Sequence, residues 1–253
     1  MPNALATLAG RITNPVAVPP GPSADLANLA AVENWWSLVQ PKTLPDAVTG
    51  FPNFLPRLGT QPLKATGPLA FTAVGVAGGV QHQAASWSGS ANQPYLTCEI
   101  SRPANRIISF LFAGRYNAAR SPICRLRDSA NAVLAVVNSE WNGGLSVLPA
   151  GGTNIQFGAA AVAPGTGKHY AYALTLDYAS MTAAAASGGS KPFSNNVAMT
   201  GPAMPATGPL RLTVASDYNG VLTDLVVLPG VDLRANAPAW LSFAGYATRI
   251  WGA

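Results

Sequence analysis

Between Leu69 and Leu228 short alternating runs are broken every few residues by turn chemistry, and that punctuation restricts the fold more than any other feature. The predicted strands are Leu69–Val74, Val80–Ser86, Tyr95–Ile100, Arg106–Ala113, Ile123–Arg127, Ala132–Val137, Leu145–Leu148, Asn154–Gly158, His169–Tyr178, Met181–Ala186, Leu210–Ala215 and Val221–Leu228. Alternation is clear in "RIISFLF", "YAYALTLDY" and "LRLTV", and the turns between runs include "SANAV", "AGGTN", "PGTGK" and "SGGSK". Such spacing without intervening helices specifies an antiparallel sandwich or barrel. In "SDYNGVLTDLVVLPG" the Asn219-Gly220 pair is expected to turn the chain into a final strand that stops at Pro229-Gly230. "MTAAAA" reads as a strand despite the helix preference of alanine, because it is too short to stand between two turns as a helix.

Upstream the character differs. Residues Met1–Pro22 end in "NPVAVPPGP", which suits neither a helix nor a central strand, so an extended docking arm is expected. Ser23 as N-cap, Asp25 in the first turn, and Leu26, Leu29, Val32, Trp36 and Val39 at helical spacing predict a helix ended by Pro41. Its Trp35-Trp36 pair is expected to anchor the arm to the body. The proline-rich stretch that follows reads as a connection. The expected organisation is an arm (1–22), a helix and connection packed on the body (23–66), and an all-β body (67–253) with no more than one or two short helical turns between Gly67 and Arg249.

Charged residues are only 10% of the 253, against a norm of about 25%. A chain this poor in charge is expected to hide surface in an assembly. The net charge of +5 is spread thinly. Its one concentration, Arg102, Arg106, Arg115, Arg120, Arg125 and Arg127, contains no lysine, so it suits a subunit boundary better than nucleic acid. Within it, Arg102, Arg106, Arg115 and Arg120 are the candidate interface residues of a homo-oligomer, a trimer by preference. No apolar run reaches the length of a membrane span, and the N-terminus lacks the pattern of a signal peptide. Cys98 and Cys124 are expected to be reduced and buried; a bridge between neighbouring strands is the lesser reading.

Three stretches resemble a concanavalin A-like (laminin-G-like) jelly roll of the kind used in phage virion proteins. They are "WWSLVQPKTLPDAVTGFPNFLPRLGTQPLKATG", "KHYAYALTLDYASMTAAAASGGS" and the closing "GPLRLTVASDYNGVLTDLVVLPGVDLRANAPAWLSFAGYATRIW". Val221, Asp224 and Leu225 fit the closing-strand pattern of that family in place. The resemblance spans Trp35 to Trp251 and implies a two-sheet jelly roll, a virion location and other virion subunits as partners.

Chemistry is sparse. The ten acids include no Glu-x-Asp-x-x-Glu set on a strand, and the nearest pair, Asp217 and Asp224, flanks a turn. His82 and His169 share no metal-ligand spacing with other donors, "SWSGS" lacks the strand-to-helix context of a nucleophile elbow, and neither "AGGV" nor "AGGT" opens a helix. No catalytic residue, metal or cofactor is expected. Sugars stack on aromatic rings at loop tips, so Trp87, Trp141 and Tyr116, beside Asn92, Asn117 and Asn142, are candidates for binding a host surface glycan; the competing reading places these aromatics in the core or an interface. The expectation is a non-enzymatic virion structural protein, with a glycan-binding module as the alternative and a glycan hydrolase behind it.

Overall fold

The computed structural model describes residues 34–39, 43–75, 79, 81–117, 121–140, 144–157, 169–187 and 193–251. The expected arm and the first part of the expected helix lie outside the described residues.

Two antiparallel sheets face each other. The first runs β16 (Val197–Ala198), β15 (Thr182–Ser187), β14 (His169–Asp177), β9 (Ile107–Tyr116), β18 (Asn219–Pro229), β1 (Asn34–Ser37) and β4 (Leu58–Gly59). Beside the start of β18 lies β7 (Gln81–Ser88), which pairs onward with β6 (Ala70–Gly75). The second sheet runs β13 (Ile155–Phe157), β12 (Leu145–Pro149), β11 (Val133–Ser139), β10 (Ser121–Arg127), β17 (Leu210–Val214), β8 (Leu96–Ile100), β5 (Leu63–Ala65), β3 (Pro52–Phe54) and β2 (Thr43–Pro45). Every one of the twelve strands read from the sequence is present, with ends shifted by a few residues at most.

The space between the sheets is filled by Trp36, Phe110, Phe112 and Tyr172 from the first sheet against Ile123, Leu126, Val147 and Leu212 from the second. The first sheet is covered on its outer face too. There α1 (Ala237–Trp251) lays Trp240, Phe243, Ala244 and Ala247 against Leu111, Ala113, Ala171, Ala173 and Val226. Small side chains on β9 and β14 leave room for the helix aromatics. With the sheet covered on both faces, β14 and β18 are buried at nearly every position rather than at every second one.

Four expectations need correction. Residues Asn34–Ser37 are a strand rather than the end of a helix. Trp35 points to the outer cluster and Trp36 to the inner one, an alternation available only to an extended chain buried on both faces. Second, the tail is a 15-residue helix, well beyond a short helical turn. Its stripe of Trp240, Phe243, Ala244, Ala247 and Trp251 has helical spacing, Pro238 sits in the first turn, where proline is tolerated, and Arg249 stands in the last. Third, β1–β5 belong to both sheets, so the boundary expected at residue 66 has no structural counterpart. Of the prolines of that segment, Pro45 ends β2 and Pro52 begins β3 at the sheet margin, where a missing N–H donor is tolerated, and Pro56 and Pro62 lie between strands.

Fourth, Asn219 and Gly220 open β18; the reversal is three residues earlier, at Ser216-Asp217, with Ala215 at φ 62°. Gly220 is required by crowding, not by a turn: a Cβ there would lie 2.3 Å from the Arg115 carbonyl oxygen. Cys98 and Cys124 are buried, are not joined by a disulfide and lie on strands separated by β17, and burial pushes the Cys124 thiol up.

Candidate functional site

One end of the sandwich carries two cavities that meet at Pro68, Gln93 and Pro94, of about 590 Å³ and about 310 Å³. Their shape depends on Gln93, a buried amide in the connection from β7 to β8. Its Nε2 donates to the carbonyls of Ala215 (3.0 Å) and Tyr218 (2.8 Å), and its Oε1 accepts from Gly89 N–H (3.0 Å). The β7–β8 turn is thereby fixed to the β17–β18 turn. Beside it, Thr66 and Tyr95 are joined through backbone and hydroxyl at 2.9–3.1 Å. Trp87 Nε1 closes the loop by donating to the Pro94 carbonyl at 2.9 Å.

The larger cavity is lined on one side by Arg125, which projects from β10 and donates to Ser216 Oγ and the Asp217 carboxylate. That pair is partly open to solvent, with side-chain exposures of 22% for Arg125 and 42% for Asp217. Half-buried Phe51 and Tyr95 contribute rings to the same cavity, and exposed Asn92, at φ 61°, stands at its rim. A guanidinium, a carboxylate, a hydroxyl and an aromatic ring therefore border one concave space. Together they can hydrogen-bond paired hydroxyls and pack an apolar ring face.

The smaller cavity lies against β6, β7 and β9, with Thr72, Ser86, Ser88, Arg115 and Asn117 in its lining. His169, paired with Arg115 across β9 and β14, is held down to about 4 by burial and then by the Arg115 charge. His169 also stacks on Trp251, with ring centroids 6.4 Å apart.

The glycan candidates named from sequence are divided by the structure. Trp87 and Tyr116 lie in β7 and β9 rather than in loops, at 5% and 0% exposure, so they are core residues and offer no stacking face. Asn92 and Asn117 are exposed at the cavities, while Trp141 and Asn142 lie outside the described residues. Of the interface candidates, Arg102 is half-buried, Arg106 exposed and Arg115 lines the smaller cavity; Arg120 lies outside the described residues. Trp35 and Trp36 are both fully buried in the sandwich. Sequence reading passed over Phe51, Thr66, Gln93, Tyr95 and the Arg125–Asp217 pair. The partners in that pair are 92 positions apart, and only the β10–β17 pairing brings them together.

Among the described acids, Asp177 and Asp232 meet on the Arg234 guanidinium, at 2.9 and 2.7 Å, whereas Asp217 and Asp224 do not come together. Asp217 sits at the larger cavity, whereas Asp224 is fully buried beneath α1. Asp224 accepts from Trp35 Nε1 (3.1 Å), Trp251 Nε1 (2.9 Å) and the Tyr246 hydroxyl (3.3 Å). A β-bulge between Leu222 and Asp224 turns this side chain toward the helix instead of into the sandwich. Burial pushes its pKa up to about 6 against the lowering effect of Arg57 and the three donors. Among the described residues no group of three or more His, Cys, Asp or Glu could hold a metal ion.

No family model and no curated protein sequence matches this chain. Solved structures do. A sialidase from Trypanosoma rangeli, in complex with a difluorinated ketodeoxynononic acid, aligns over 87% of this chain and 33% of its own, with a TM-score of 0.54 and 10% identity. This chain thus spans about a third of the length of that enzyme. Domain 4 of AbnA, a GH43 extracellular arabinanase from Geobacillus stearothermophilus, in complex with arabinotriose, aligns over 84% of this chain and 98% of its own (TM-score 0.52, 11% identity). Neither is a phage protein. The shared feature is a jelly-roll-like β-sandwich, as the concanavalin A-like resemblance implied, and at these identities the likeness extends to the fold alone.

Proposed function

We propose that this chain is a non-enzymatic structural subunit of a bacteriophage virion whose sandwich recognises a glycan on the host surface through the larger end cavity. The observation that carries the glycan reading is the convergence of Arg125, Ser216 and Asp217 with Tyr95 and Phe51 on one partly open space. Sugars are recognised by planar, bidentate hydrogen-bonding groups beside an aromatic surface. The domain of similar fold solved with arabinotriose adds support, since it shows a sandwich of this kind holding an oligosaccharide. The virion reading is supported by the phage-protein resemblance in sequence and by a charged fraction of 10%, which suits a subunit shielded by neighbours. A homo-oligomer, trimeric by preference, with Arg102 and Arg106 at the boundary belongs to the same proposal.

Binding to an array of bacterial surface polysaccharides tests it. Tyr95→Ala and Asp217→Asn should each weaken binding at least tenfold while leaving the circular dichroism spectrum unchanged. An array without a hit would leave a purely structural role. Absence of the protein from purified particles carrying its gene would refute the virion assignment.

A further inference from the structure

Among the described residues, none supplies a counter-charge to the arginine that lines the smaller cavity. Ser86 on β7, Val221 on β18, Arg115 on β9 and His169 on β14 lie side by side in register across four strands, in the row that ends beside Trp251 of α1. Val221 belongs to the outer cluster, so this row faces the side of the sheet that α1 covers further along. Arg115 is half-buried, and its Nε is fully shielded from solvent with no hydrogen-bond partner. Arg125, Arg211 and Arg234 each meet a carboxylate, whereas among the described residues none meets Arg115. Its neighbour in register, His169, is held neutral and supplies no negative charge. Around it the cavity offers the neutral donors Thr72, Ser86, Ser88 and Asn117, and among the described residues no acidic one lines it.

An arginine lining a concave polar site suits a planar anion, because the guanidinium fork matches a carboxylate in two parallel hydrogen bonds. At about 310 Å³ the space lies at the low end of small-ligand pockets, which run from about 300 to 1,000 Å³. It also touches the larger cavity at Pro68, Gln93 and Pro94. We infer that the smaller cavity is a carboxylate-reading subsite centred on Arg115, so that the glycan recognised is an acidic one carrying a uronic-type sugar. This rests on the glycan reading above and specifies its substrate class.

The test uses the full chain with tetragalacturonate and its fully methyl-esterified form, in which each charged carboxylate is replaced by a neutral methyl ester. Arginine Nε–H signals are followed by NMR alongside affinities by calorimetry. Tetragalacturonate should shift the Arg115 signal and bind at least tenfold more tightly than the ester. Arg115→Gln should reduce the acid to the affinity of the ester while leaving ester binding unchanged. Arg115→Lys, which keeps the charge without the fork, should fall between the two and serves if the glutamine variant does not fold. Equal binding of both probes, with signals of the Arg125 side move and Arg115 still, would overturn the acidic subsite and leave the glycan reading standing. Silence toward both probes would also overturn it, and a polysaccharide array would then decide the glycan reading separately.

Discussion

Trp35 donates its indole N–H to Asp224 across 189 residues of sequence, at 3.1 Å, while the other carboxylate oxygen accepts from Trp251 at 2.9 Å. One buried acid thus joins the first described strand, the last strand and the last helix. Its pKa of about 6 lies above the ordinary 3.8, so the folded state holds the proton more tightly than the unfolded chain does. Its contribution to stability is therefore complete below about pH 4 and lost as pH rises through 6. A shift of about two units corresponds to about 3 kcal/mol. His169 acts in the opposite sense. Its depressed pKa, about 4 against 6.5, makes acidification below 6.5 destabilising.

The two groups should therefore offset each other between about pH 4 and 6.5. Asp224→Asn should leave stability falling as pH drops through this window, and His169→Gln should leave it rising. Urea denaturation of both variants at pH 5 and pH 7 checks the signs; parallel slopes in the two variants would refute the assignment.

Gln93 holds the two turns that shape the cavities. Gln93→Ala leaves the carbonyls of Ala215 and Tyr218 and the Gly89 N–H without that amide, and should cost about 2–3 kcal/mol. Glycan affinity should fall with it, since Asn92, Tyr95, Ser216 and Asp217 lie on the segments it joins. Denaturation and calorimetry on the same variant measure both effects.

Phe243 is fully buried between α1 and the first sheet. Phe243→Ala should lose about 3–5 kcal/mol by cavity formation, read as a shift of the urea midpoint with unchanged slope. A loss below 1 kcal/mol would mean that the helix is only loosely seated.

Two glycines should respond oppositely to alanine. Gly220→Ala places a methyl 2.3 Å from the Arg115 carbonyl, between strands that cannot separate, and should prevent folding or displace β18. Gly245→Ala lies inside α1 with nothing within 4 Å of the added carbon, and should stabilise by about 0.5–1 kcal/mol. Thermal melting of the two variants distinguishes them directly.

The strands were legible because turn residues and alternation are local signals, and even "MTAAAA" declared itself by its flanking turns. The errors arose where a segment is buried on two sides. Trp35 and Trp36 serve different clusters, so their pattern satisfies a helical template as readily as an extended one. The helix Ala237–Trp251 did carry its own periodicity and could have been found from Trp240, Phe243, Ala247 and Trp251. Asn219-Gly220 misled because glycine has two uses, positive φ and close approach, and only the neighbouring strand reveals which applies. The cavities were the least legible: Arg125 and Asp217, or Gln93 and Tyr218, become neighbours only after both sheets have formed.

The meeting of Trp35 and Trp251 on Asp224 also sets how this body would carry load. Trp35 and Trp251 are fastened at the same buried carboxylate, so tension applied at both would load that junction together with the β1–β18 ladder. A body tethered in this way can be spliced into a loop of a larger chain without prising its host apart. Under force the three hydrogen bonds on Asp224 and the helix seat would share the load with the pairing of β1 to β18 and β4.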